Sequence, residues 1–566
     1  MVLILLGLDI ERVEWYLSYR DSADTAILSA IRREYPSLSP YLEFIKQRDF
    51  QKYNVERLIA LGTPKNLVSA IVDLLIEDLY GDKAYRAVVD TFGKYRAYGR
   101  EKSTYYYILA LKKLGISSYR KKALEFIREK PSSTYAYKLW KELKLDLPPR
   151  TKLRLLYFNK RYRQIIEEFP ISRETAFYLM SSYYKLRKRN DAYRICKKYR
   201  DVLDWNYFLR CAISSEVSGD TALAVEYIKR LHRFKPDKAA RLLAWIVLAN
   251  PKYYNDFMDL KDTHEETLFL KSMLAIRYGD TADALNYLRA IINSSHSAFE
   301  RSRAYFWTMK LTEENHLADS VRRVHPFGYY AARLGFPPPV RDTQCIDTTN
   351  IKDVVPVLLL EAFGLRKYAF RYVKPSNRLR AAYLLDRFGY YPLSIHLAYS
   401  SLGKRPCRDA FDLAFPTPFL PYFREASDST GVPVSLLYAI AREESRFDTM
   451  AVSIAGARGM LQMMPFQFRK QRKRLGLPDR PFEVRTNLLA GAHHFADELK
   501  EFGGDYELTI CAYNAGKSPV KRWIRVLGLQ DRDFFFEMIP YRETRNYFRR
   551  VYRSEKFYRW IFENLE

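Results

Sequence analysis

The chain has 566 residues, of which 48% are hydrophobic and 15% aromatic, so it is not a disordered polymer and has ample material for several folded domains. Its 94 lysines and arginines outnumber the 66 aspartates and glutamates, which gives a formal net charge of +28. Such a surplus indicates an anionic ligand or environment, which can be nucleic acid, an acidic membrane face or an anionic polymer.

The start of the chain, "MVLILLGLDIERVEW", is apolar over residues 1–8. It lacks the basic residues and the small-residue cleavage site of a complete secretory signal peptide. It is either the end of a leader that begins upstream or a first helix. No run of about 20 apolar residues occurs in the sequence, so we expect no transmembrane segment.

Helix follows helix through the first 340 residues or so. Four segments open with a turn-and-cap pair and continue with alanine and large apolar residues at helical spacing. They begin at Gly81, Asn190, Gly219 and Gly279. The last three begin about 30 or 60 residues apart, which is the period of a helical-hairpin repeat. Because such a hairpin cannot bury its apolar face alone, its neighbours must stack on it, and the pattern predicts an α-solenoid.

Two proline-rich breaks, at residues 334–350 and 414–423, interrupt the helical pattern. Alternating β-branched runs are rare on both sides of them. We therefore expect an all-α chain with a solenoid of helical hairpins over residues 1–340, a helical linker domain over 341–414 and a C-terminal domain over 415–566.

The cysteines show neither CxxC nor zinc-ligand spacing and are too few to imply a disulfide framework. They are Cys196, Cys211, Cys345, Cys407 and Cys511. A bridge between Cys345 and Cys407 is one option, but separate buried thiols are the interpretation we favour. His493 and His494 are adjacent, so they point apart on a helix and lack the H-E-x-x-H frame of a zinc site. We expect neither a metal nor a cofactor.

Two adjacent glutamates, Glu443 and Glu444, open the segment "EESRFDTMAVSIAGARGMLQMMP". They close a helix that we expect to begin near Pro433. The residues four and seven positions before each glutamate are apolar, so periodicity does not choose between them. An apolar environment would raise the pKa of either carboxyl group and keep it protonated near neutrality, as a general acid requires. Composition alone favours two solvated carboxylates at a helix end.

Three further features lie downstream of these glutamates. A Gly-Ala-x-Gly turn precedes an expected helix that presents Gln462 and Met464. The stretch "AYNAG", residues 512–516, is expected to end a helix at its glycine. The stretch "ETR" is expected to begin a helix with Glu543 among arginines, which by itself indicates an ion-paired surface helix.

Together these blocks resemble one family, the soluble lytic transglycosylases, which cleave bacterial peptidoglycan. The family pattern runs Glu-Ser, Ser-x-x-Gly-Ala-x-Gly-Leu-Met-Gln-x-Met-Pro, Asn-(Ile/Leu)-x-x-Gly, Ala-Tyr-Asn-Ala-Gly and Glu-Thr-Arg. The chain carries these blocks in order, as "ES", "SIAGARGMLQMMP", "NLLAG", "AYNAG" and "ETR" between residues 444 and 545. The stretch "HPFGYYAARLG", near His325, is similar to the segment before the family's linker domain. Motifs thus carry the resemblance in the C-terminal domain, and architecture carries it in the first half.

The chain departs from the family pattern at three places. Thr449 stands where the family usually has proline, and Met460-Leu461 inverts the common Leu-Met. The stretch "KSPV" at residues 517–520 replaces Pro-Gly-Arg-Val, which places the substrate contacts of that loop in question. None of the three removes a residue with a chemical role.

The resemblance implies a goose-type-lysozyme-like catalytic domain in which Glu444 is the catalytic residue and Glu443 an ordinary neighbour. Glu444 would protonate the leaving glycosidic oxygen and then act as a base on the C6 hydroxyl of the same muramic acid, which closes a 1,6-anhydro ring. A tethered nucleophile makes a second carboxylate unnecessary. The implied substrate-binding residues are Ser453, Gln462, Met464, Tyr513, Asn514 and Glu543. Asp448 and Glu483 are the other carboxylates to consider as a second base, and we expect neither to be one.

The resemblance also implies a location and partners. The partner would be the glycan strands of peptidoglycan in the periplasm or cell envelope, with cell-wall synthesis proteins as further partners and no nucleic acid. Three alternatives stay open. They are nucleic-acid binding through runs such as "RKQRKR", a non-catalytic wall-binding scaffold, and a lysozyme-type hydrolase that uses the same glutamate with a water.

Overall fold

The computed structural model describes residues 16–19, 24–347, 351–403 and 406–564. Within these ranges the chain is helical, with no strand and only three isolated β-bridges. The prediction of an all-α fold is confirmed. None of the described helices combines the length and the apolarity that a membrane crossing requires.

The described residues form two compact units, which divide between Lys235 and Pro236. The described part of the first unit contains fourteen helices. They are α1 (Thr25–Glu34), α2 (Ser39–Phe50), α3 (Val55–Ala60), α4 (Lys65–Gly81), α5 (Tyr85–Lys94), α6 (Glu101–Lys113), α7 (Tyr119–Glu129), α8 (Thr134–Leu143), α9 (Pro149–Phe158), α10 (Tyr162–Glu168), α11 (Ala176–Lys185), α12 (Arg189–Lys198), α13 (Trp205–Val217) and α14 (Thr221–His232).

The described part of the second unit contains twenty helices. They are α15 (Pro236–Ala249), α16 (Tyr254–Met258), α17 (Glu265–Tyr278), α18 (Thr281–Ser294), α19 (Ala298–Thr312), α20 (Leu317–Val324), α21 (Tyr329–Arg333), α22 (Val355–Ala362), α23 (Arg366–Ala369), α24 (Arg378–Arg387), α25 (Tyr391–Leu402), α26 (Arg408–Ala414), α27 (Leu420–Thr430), α28 (Val434–Glu444), α29 (Pro465–Leu475), α30 (Val484–Glu501), α31 (Tyr506–Ala515), α32 (Lys517–Leu527), α33 (Arg532–Met538) and α34 (Arg542–Glu563).

The first unit is a stack of helical hairpins. Helices α4, α6, α8, α9, α11 and α13 contact one another in series and form a first layer. Helices α5, α7, α10, α12 and α14 form a second layer, each packed against members of the first. Each hairpin thereby covers the apolar face of its neighbour, as the repeat pattern requires.

The predicted caps are confirmed at two of the four repeats. Asp220 and Asp280 accept hydrogen bonds from the backbone N–H groups three residues on, at 3.1 and 3.0 Å. At the other two repeats the predicted turn position is wrong, because the left-handed turn residues are Lys83 and Arg187. Gly81 therefore ends α4, and Asn190 lies inside α12.

The predicted domain boundaries, after residues 340 and 414, both lie inside the second compact unit. Both proline-rich breaks do separate helices: α21 ends at Arg333, and α26 ends at Ala414 before α27 begins at Leu420. The three-domain division itself stays a prediction. The apolar start of the chain and residues 348–350 of the first break lie outside the described residues.

Four of the five cysteines are bonded, so the interpretation as separate thiols is wrong for them. The pairs are Cys196–Cys211 and Cys345–Cys407, and Cys511 is free and buried. Spacing along the chain could not show this. The packing of α12 against α13 brings the first pair together, and a backbone hydrogen bond from Arg341 to Pro406 brings the second pair's segments together.

The second unit contains a buried network of ionic side chains. Glu266 at the start of α17 accepts hydrogen bonds from Arg241 at 3.0 Å, from Arg545 at 3.3 Å and from Arg303 at 3.4 Å. Glu537 accepts one from Tyr330 at 2.6 Å and pairs with Arg549. Arg545 and Arg549 belong to α34, so the network ties the last helix to α15, α17 and α19.

The arginine partners of Glu266 keep its carboxyl group ionised. Burial raises the pKa of Glu266, but the three guanidinium groups outweigh burial and hold this pKa well below its usual range. A carboxyl group with a depressed folded-state pKa stabilises the fold above its unfolded pKa of about 4.3, and this contribution is lost as the pH falls below that value.

We predict that Glu266→Gln lowers the free energy of unfolding near pH 7 by about 3–5 kcal/mol, because it leaves buried guanidinium groups without their counter-charge. Chemical denaturation monitored by circular dichroism measures this loss. Glu265→Gln, one residue earlier, is the matched control and is expected to cost less than about 1 kcal/mol. The difference between the two variants should shrink below about pH 4. Equal losses would contradict the assigned role of the network.

Candidate active site

The site is built around the end of α28. This helix buries eight consecutive residues, from Ser435 to Arg442, and Tyr438 stacks on Phe423 at 3.8 Å between ring centroids. α28 ends at Glu444, as the sequence predicts. Adjacent residues on an α-helix point about 100° apart, so Glu443 and Glu444 face different surroundings.

Glu443 faces the last helix, α34. Its carboxylate pairs with Arg442, with Arg550 at 3.1 Å and with Arg553 at 3.5 Å, and it accepts a hydrogen bond from Ser554 at 2.7 Å. Burial raises the pKa of Glu443, but these partners outweigh burial and lower it to about 2. The solvated carboxylate that composition favoured is therefore wrong: Glu443 is a buried charge with four partners.

Glu444 faces a desolvated environment, and among the described residues it has no ion-pair partner within 4 Å. Burial is the largest effect and raises its pKa to about 7, with smaller increases from the negative charges of Glu443 and Glu543. Arg550 and the Tyr547 hydroxyl lower this pKa without reversing the shift. A carboxyl group with a pKa near neutrality can both donate and accept a proton at neutral pH, which is what acid–base catalysis requires.

Tyr547 is a site residue that the sequence motifs did not indicate. Its side chain is 3% exposed, and its hydroxyl lies near Glu444 but outside regular hydrogen-bond geometry, with no other partner among the described residues. It follows Glu543 by four positions on α34, so the two lie on one face of the helix. That spacing, together with the motif at Glu543, is the signal by which sequence reasoning could have found Tyr547.

The segment of residues 445–464 connects α28 to α29 and carries three of the predicted site residues. The helix expected to present Gln462 and Met464 is absent, since α29 begins only at Pro465. Gln462 has a left-handed backbone (φ 48°), and its amide donates to the carbonyl oxygens of Gly459 at 2.8 Å and Ala451 at 3.2 Å. The Ser453 Oγ accepts a hydrogen bond from the N–H of Ala457 at 3.0 Å. The segment is a braced loop because its side chains satisfy its own backbone groups.

Asn487 holds this loop against α30. Its Oδ1 accepts from the N–H of Leu461 at 2.8 Å, and its amide donates to the carbonyl oxygens of Arg458 and Pro481 at 3.2 and 2.8 Å. Gly459 has φ +74°, and a Cβ there would collide with Asn487. The Gly-Ala-x-Gly and Asn-x-x-x-Gly motifs therefore contact each other, through Gly459 of the first and Asn487 of the second.

The remaining predicted site residues lie on α31 and α34. The Tyr513 hydroxyl donates to the carbonyl oxygen of Leu461 at 2.8 Å, and burial followed by the charge of Glu444 raises the pKa of Tyr513. Asn514 accepts a hydrogen bond from Thr544 at 2.7 Å, which joins the end of α31 to the start of α34. Gly516 ends α31, and α34 begins at Arg542, as the sequence predicts.

The structure brings Glu444, Tyr513, Tyr547 and Glu543 into one electrostatic neighbourhood. Glu543 is exposed in the first turn of α34, whereas half of the residues of that helix are buried. The expected ion pairs are present, but the expectation of a surface helix is wrong. Ser453, Gln462 and Met464 lie on the braced loop. Tyr513 contacts this loop at Leu461. Glu444 therefore lies close to the end of α31 and the start of α34, and Tyr513 links α31 to the braced loop.

Asp448, Glu483 and Glu498 are further carboxyl groups of the second unit, and their surroundings differ. Asp448 accepts from the N–H of Met450 at 2.9 Å, as expected of a residue after a helix end, and Glu483 pairs with Thr486 at the start of α30. Glu498, which the sequence did not single out, is different, because burial raises its pKa to about 7. It affects the pKa of Tyr513 but is not among the groups that shift Glu444. In the described part of the chain no cluster of three His, Cys, Asp or Glu side chains could hold a metal ion.

Part of the chain is similar in sequence to known proteins. Residues 421–533 match the family model described as "Transglycosylase SLT domain". The soluble lytic murein transglycosylase of Escherichia coli K12 is 29% identical over 159 residues, which are 27% of this chain and 25% of that protein. The Salmonella typhimurium protein of the same name is 30% identical over 164 residues, 28% of this chain and 25% of that protein. These alignments span about a quarter of the curated relatives' length.

Solved structures extend the likeness to the fold of the whole chain. The 70 kDa soluble lytic transglycosylase of Escherichia coli matches with a TM-score of 0.58 and 17% identity, over 98% of this chain and 96% of that one. A second structure, of the 70 kDa soluble lytic transglycosylase with bulgecin A, matches with a TM-score of 0.59 and 18% identity, over 98% and 97% of the two chains.

The described chain is therefore all-helical, with a candidate site around Glu444, a desolvated glutamate at the end of α28. Residues 421–533 match the transglycosylase SLT domain, so this part of the chain is similar to that family. The family model ends before α34, so Glu543 and Tyr547 lie beyond the matched residues, as do two of the three arginines that pair with Glu443, Arg550 and Arg553.

We predict that replacing each of the two adjacent glutamates by glutamine has opposite effects on the free energy of unfolding. Because the folded-state pKa of Glu444, about 7, exceeds its unfolded value of about 4.3, the free energy of unfolding falls as the pH rises between these values. Glu444→Gln should therefore stabilise the fold above pH 7 by up to about 3 kcal/mol, since one pKa unit is about 1.36 kcal/mol, and should have no effect below about pH 4.

Glu443→Gln, the matched change one residue away, should lower the free energy of unfolding at pH 7 by about 3–5 kcal/mol, because it leaves three arginines without their counter-charge. This deficit should shrink as the pH falls from about 4.3 towards the folded-state pKa of about 2. Denaturant titrations at pH 4, 6 and 8 measure both variants. A stabilising Glu443→Gln or a destabilising Glu444→Gln at pH 8 would contradict the two environments.

Proposed function

We propose that the chain is a peptidoglycan lytic transglycosylase that cleaves the β-1,4 bond between N-acetylmuramic acid and N-acetylglucosamine without hydrolysis. The carrying observation is the pair of adjacent glutamates with separated pKa values, in which Glu444 alone titrates near neutrality. The match of residues 421–533 to the transglycosylase SLT domain supports the same reaction class.

In the first step the protonated Glu444 donates its proton to the glycosidic oxygen, and the bond from that oxygen to C1 of the muramic acid breaks. Glu444 is protonated at neutral pH because its surroundings disfavour the carboxylate. Glu543, exposed in the first turn of α34, supplies a negative charge on the side where positive charge develops on the sugar ring. This charge stabilises an oxocarbenium-like transition state.

In the second step the Glu444 carboxylate takes the proton of the C6 hydroxyl of the same sugar. The C6 oxygen then bonds to C1 and closes the 1,6-anhydro ring, and Glu444 returns to its protonated state. The nucleophile belongs to the substrate, so one carboxyl group serves both steps. Tyr547 can hold Glu444 in each protonation state, because a phenol hydroxyl both donates and accepts a hydrogen bond.

The loop residues and α31 supply the substrate contacts in this proposal. Ser453 would bind the N-acetyl group or the peptide stem, and Gln462 and Tyr513 would position the sugar against the acid. Met464 and Asn514 complete the binding surface. Ser453 and Gln462 are already hydrogen-bonded within the braced loop, so they hold the loop in shape as well as meeting the substrate.

The proposed place of action is the periplasm or cell envelope, where the glycan strands of peptidoglycan are found. The relatives named as soluble lytic murein transglycosylases come from bacteria, which supports that assignment. Peptidoglycan with free stem carboxylates is anionic, and the net charge of +28 suits such a substrate. Cell-wall synthesis proteins are further partners in this proposal.

We predict that Glu444→Gln lowers the rate of sacculus solubilisation at least about 100-fold, because an amide cannot donate the proton. Glu498→Gln is the matched control, since it removes another buried carboxyl group with a pKa of about 7 from the same unit. The control should keep most of the activity. If both variants lose activity equally, the single-acid assignment is wrong and Glu498 is a second catalytic carboxylate.

The product distinguishes the transglycosylase from a hydrolase. If Glu444 works without a water nucleophile, the released fragments carry 1,6-anhydro-muramic acid ends, which are lighter than hydrolysed ends by one water. Such ends resist borohydride reduction and take up no label from heavy-oxygen water, and mass spectrometry of the fragments measures both. Asp448→Asn and Glu483→Gln should leave the product unchanged. Reducing, oxygen-labelled ends would identify a lysozyme-type hydrolase instead.

A further inference from the structure

We propose that helices α8, α9 and α11 of the first unit carry a second binding surface for the anionic glycan strand, formed by residues other than those of the candidate active site. This inference rests on the proposed function, because it names the same polymer as the ligand. The surface consists of aromatic rings that contact one another between neighbouring helices and of exposed cations that lie over those rings.

The segment from residue 134 to residue 210 concentrates positive charge. It holds 19 lysines and arginines against 8 aspartates and glutamates, a net charge of +11. The whole chain carries +28, so a large share of the surplus lies in a small part of the sequence. Such a local surplus attracts a polyanion and raises its concentration at the surface.

The centre of the surface is an aromatic pair on α8, Tyr137 and Trp140, whose ring centroids are 5.6 Å apart. The Nζ of Lys141 lies 4.4 Å from the Trp140 ring centroid, and the guanidinium of Arg161 lies 4.9 Å from that of Tyr137. The Trp140 indole N–H donates to the carbonyl oxygen of Leu145 at 3.1 Å, which fixes the ring plane. The site is therefore preorganised, with rigid rings and flexible cations beside them.

The exposed cations at this surface form no close ion pair in the part of the protein that the structure describes, although Lys138 acts at longer range on Glu77 and Lys141 on Glu168. Lys138, Lys141 and Arg161 are exposed, and within the described residues none of them has a carboxylate within 4 Å. Lys152, which also lies near the Trp140 ring, is different because it pairs with Glu168 at 2.6 Å. A cation that lies beside an aromatic ring and forms no close ion pair can receive an external carboxylate without first breaking such a pair.

The aromatic contacts continue along the first layer of helices. Tyr105 of α6 contacts Tyr135 of α8 at 5.4 Å between ring centroids, and Lys138 lies 5.3 Å from the Tyr135 ring. Tyr157 of α9 contacts Tyr178 of α11 at 5.2 Å. The surface thus runs across several helices in series and offers a linear polymer repeated contacts.

The ligand chemistry follows from this pairing of rings and cations. A pyranose ring presents C–H groups that pack on an aromatic face, and a stem carboxylate binds an ammonium or guanidinium group. A glycan strand with acidic peptide stems offers both at regular intervals. Several weak contacts along one strand add up to retention of the polymer while individual contacts exchange.

Charge reversal at the centre of the surface tests the proposal. In the full chain carrying Glu444→Gln, so that the polymer stays intact, Lys141→Glu with Arg161→Glu should weaken co-sedimentation with purified sacculi about 10-fold, because each reversal places a like charge against the stem carboxylates. The matched control is Lys121→Glu with Arg163→Glu, which makes the same change in net charge at exposed positions of α7 and α10, in the second layer. The control should bind within about twofold of the parent.

Two further measurements identify what the surface recognises. Sacculi whose carboxylates have been converted to amides should bind the surface variant and the control equally, and added salt should reduce the difference between the variants on native sacculi. Circular dichroism and thermal unfolding check that both double variants fold as the parent does. Equal weakening in both variants, no weakening in the surface variant, or a difference that persists on amidated sacculi would overturn the proposal.

The outcome also separates this inference from the proposed function. With native Glu444 present, the surface variant should retain turnover of short soluble glycan fragments and lose turnover of intact sacculi. Absence of turnover in the parent itself would refute the proposed function and leave the binding measurements to stand alone. If the surface variant loses binding to duplex DNA but keeps parental binding to sacculi, the surface is a nucleic-acid site and the proposal is wrong.

Discussion

The unequal desolvation of two neighbouring carboxyl groups is the constraint on which the rest of the site depends. α28 carries both glutamates into a low-polarity region, and the fold supplies counter-charges to only one of them. Glu443 contacts Arg550, Arg553 and Ser554 and stays ionised. Glu444 is desolvated and lies near the phenol of Tyr547, and its pKa is near neutrality. Two chemically identical side chains thereby acquire separate roles, and the ionised neighbour itself helps to raise the pKa of the acid.

The last helix, α34, is the element that enforces this difference. One of its faces presents Tyr547 to Glu444 and two arginines to Glu443, while Arg545 and Arg549 on another face enter the buried network around Glu266 and Glu537. The position of α34, and with it the position of Tyr547 beside Glu444, therefore depends on the packing of α34 against α15, α17 and α19. Glu266, more than a hundred positions before Glu444, contributes to the candidate site by holding that helix in place.

The loop before α29 shows how strongly motif residues can serve structure and chemistry together. The side chains of Asn487 and Gln462 form hydrogen bonds to backbone groups of the loop, and Gly459 leaves room for Asn487. These contacts favour one conformation of the loop. Tyr513 completes it by donating to Leu461. In the proposed function, a loop made rigid in this way loses little entropy when substrate binds, which favours both affinity and accurate placement of the sugar against Glu444.

The sequence by itself determined the helical fold class, the end of α28 at Glu444, the glycine that ends α31 and the start of α34, because helical periodicity and capping residues act over a few neighbouring positions. Tertiary structure alone decided which cysteines pair, that Gln462 lies in a loop, that Tyr547 meets the acid, and that Glu443 is a buried ion rather than a solvated one. The physical reason is range: a pKa and a disulfide depend on groups that are distant in sequence, and Arg550 and Arg553 approach Glu443 only because α34 packs against α28. No local pattern around two adjacent glutamates contains that information.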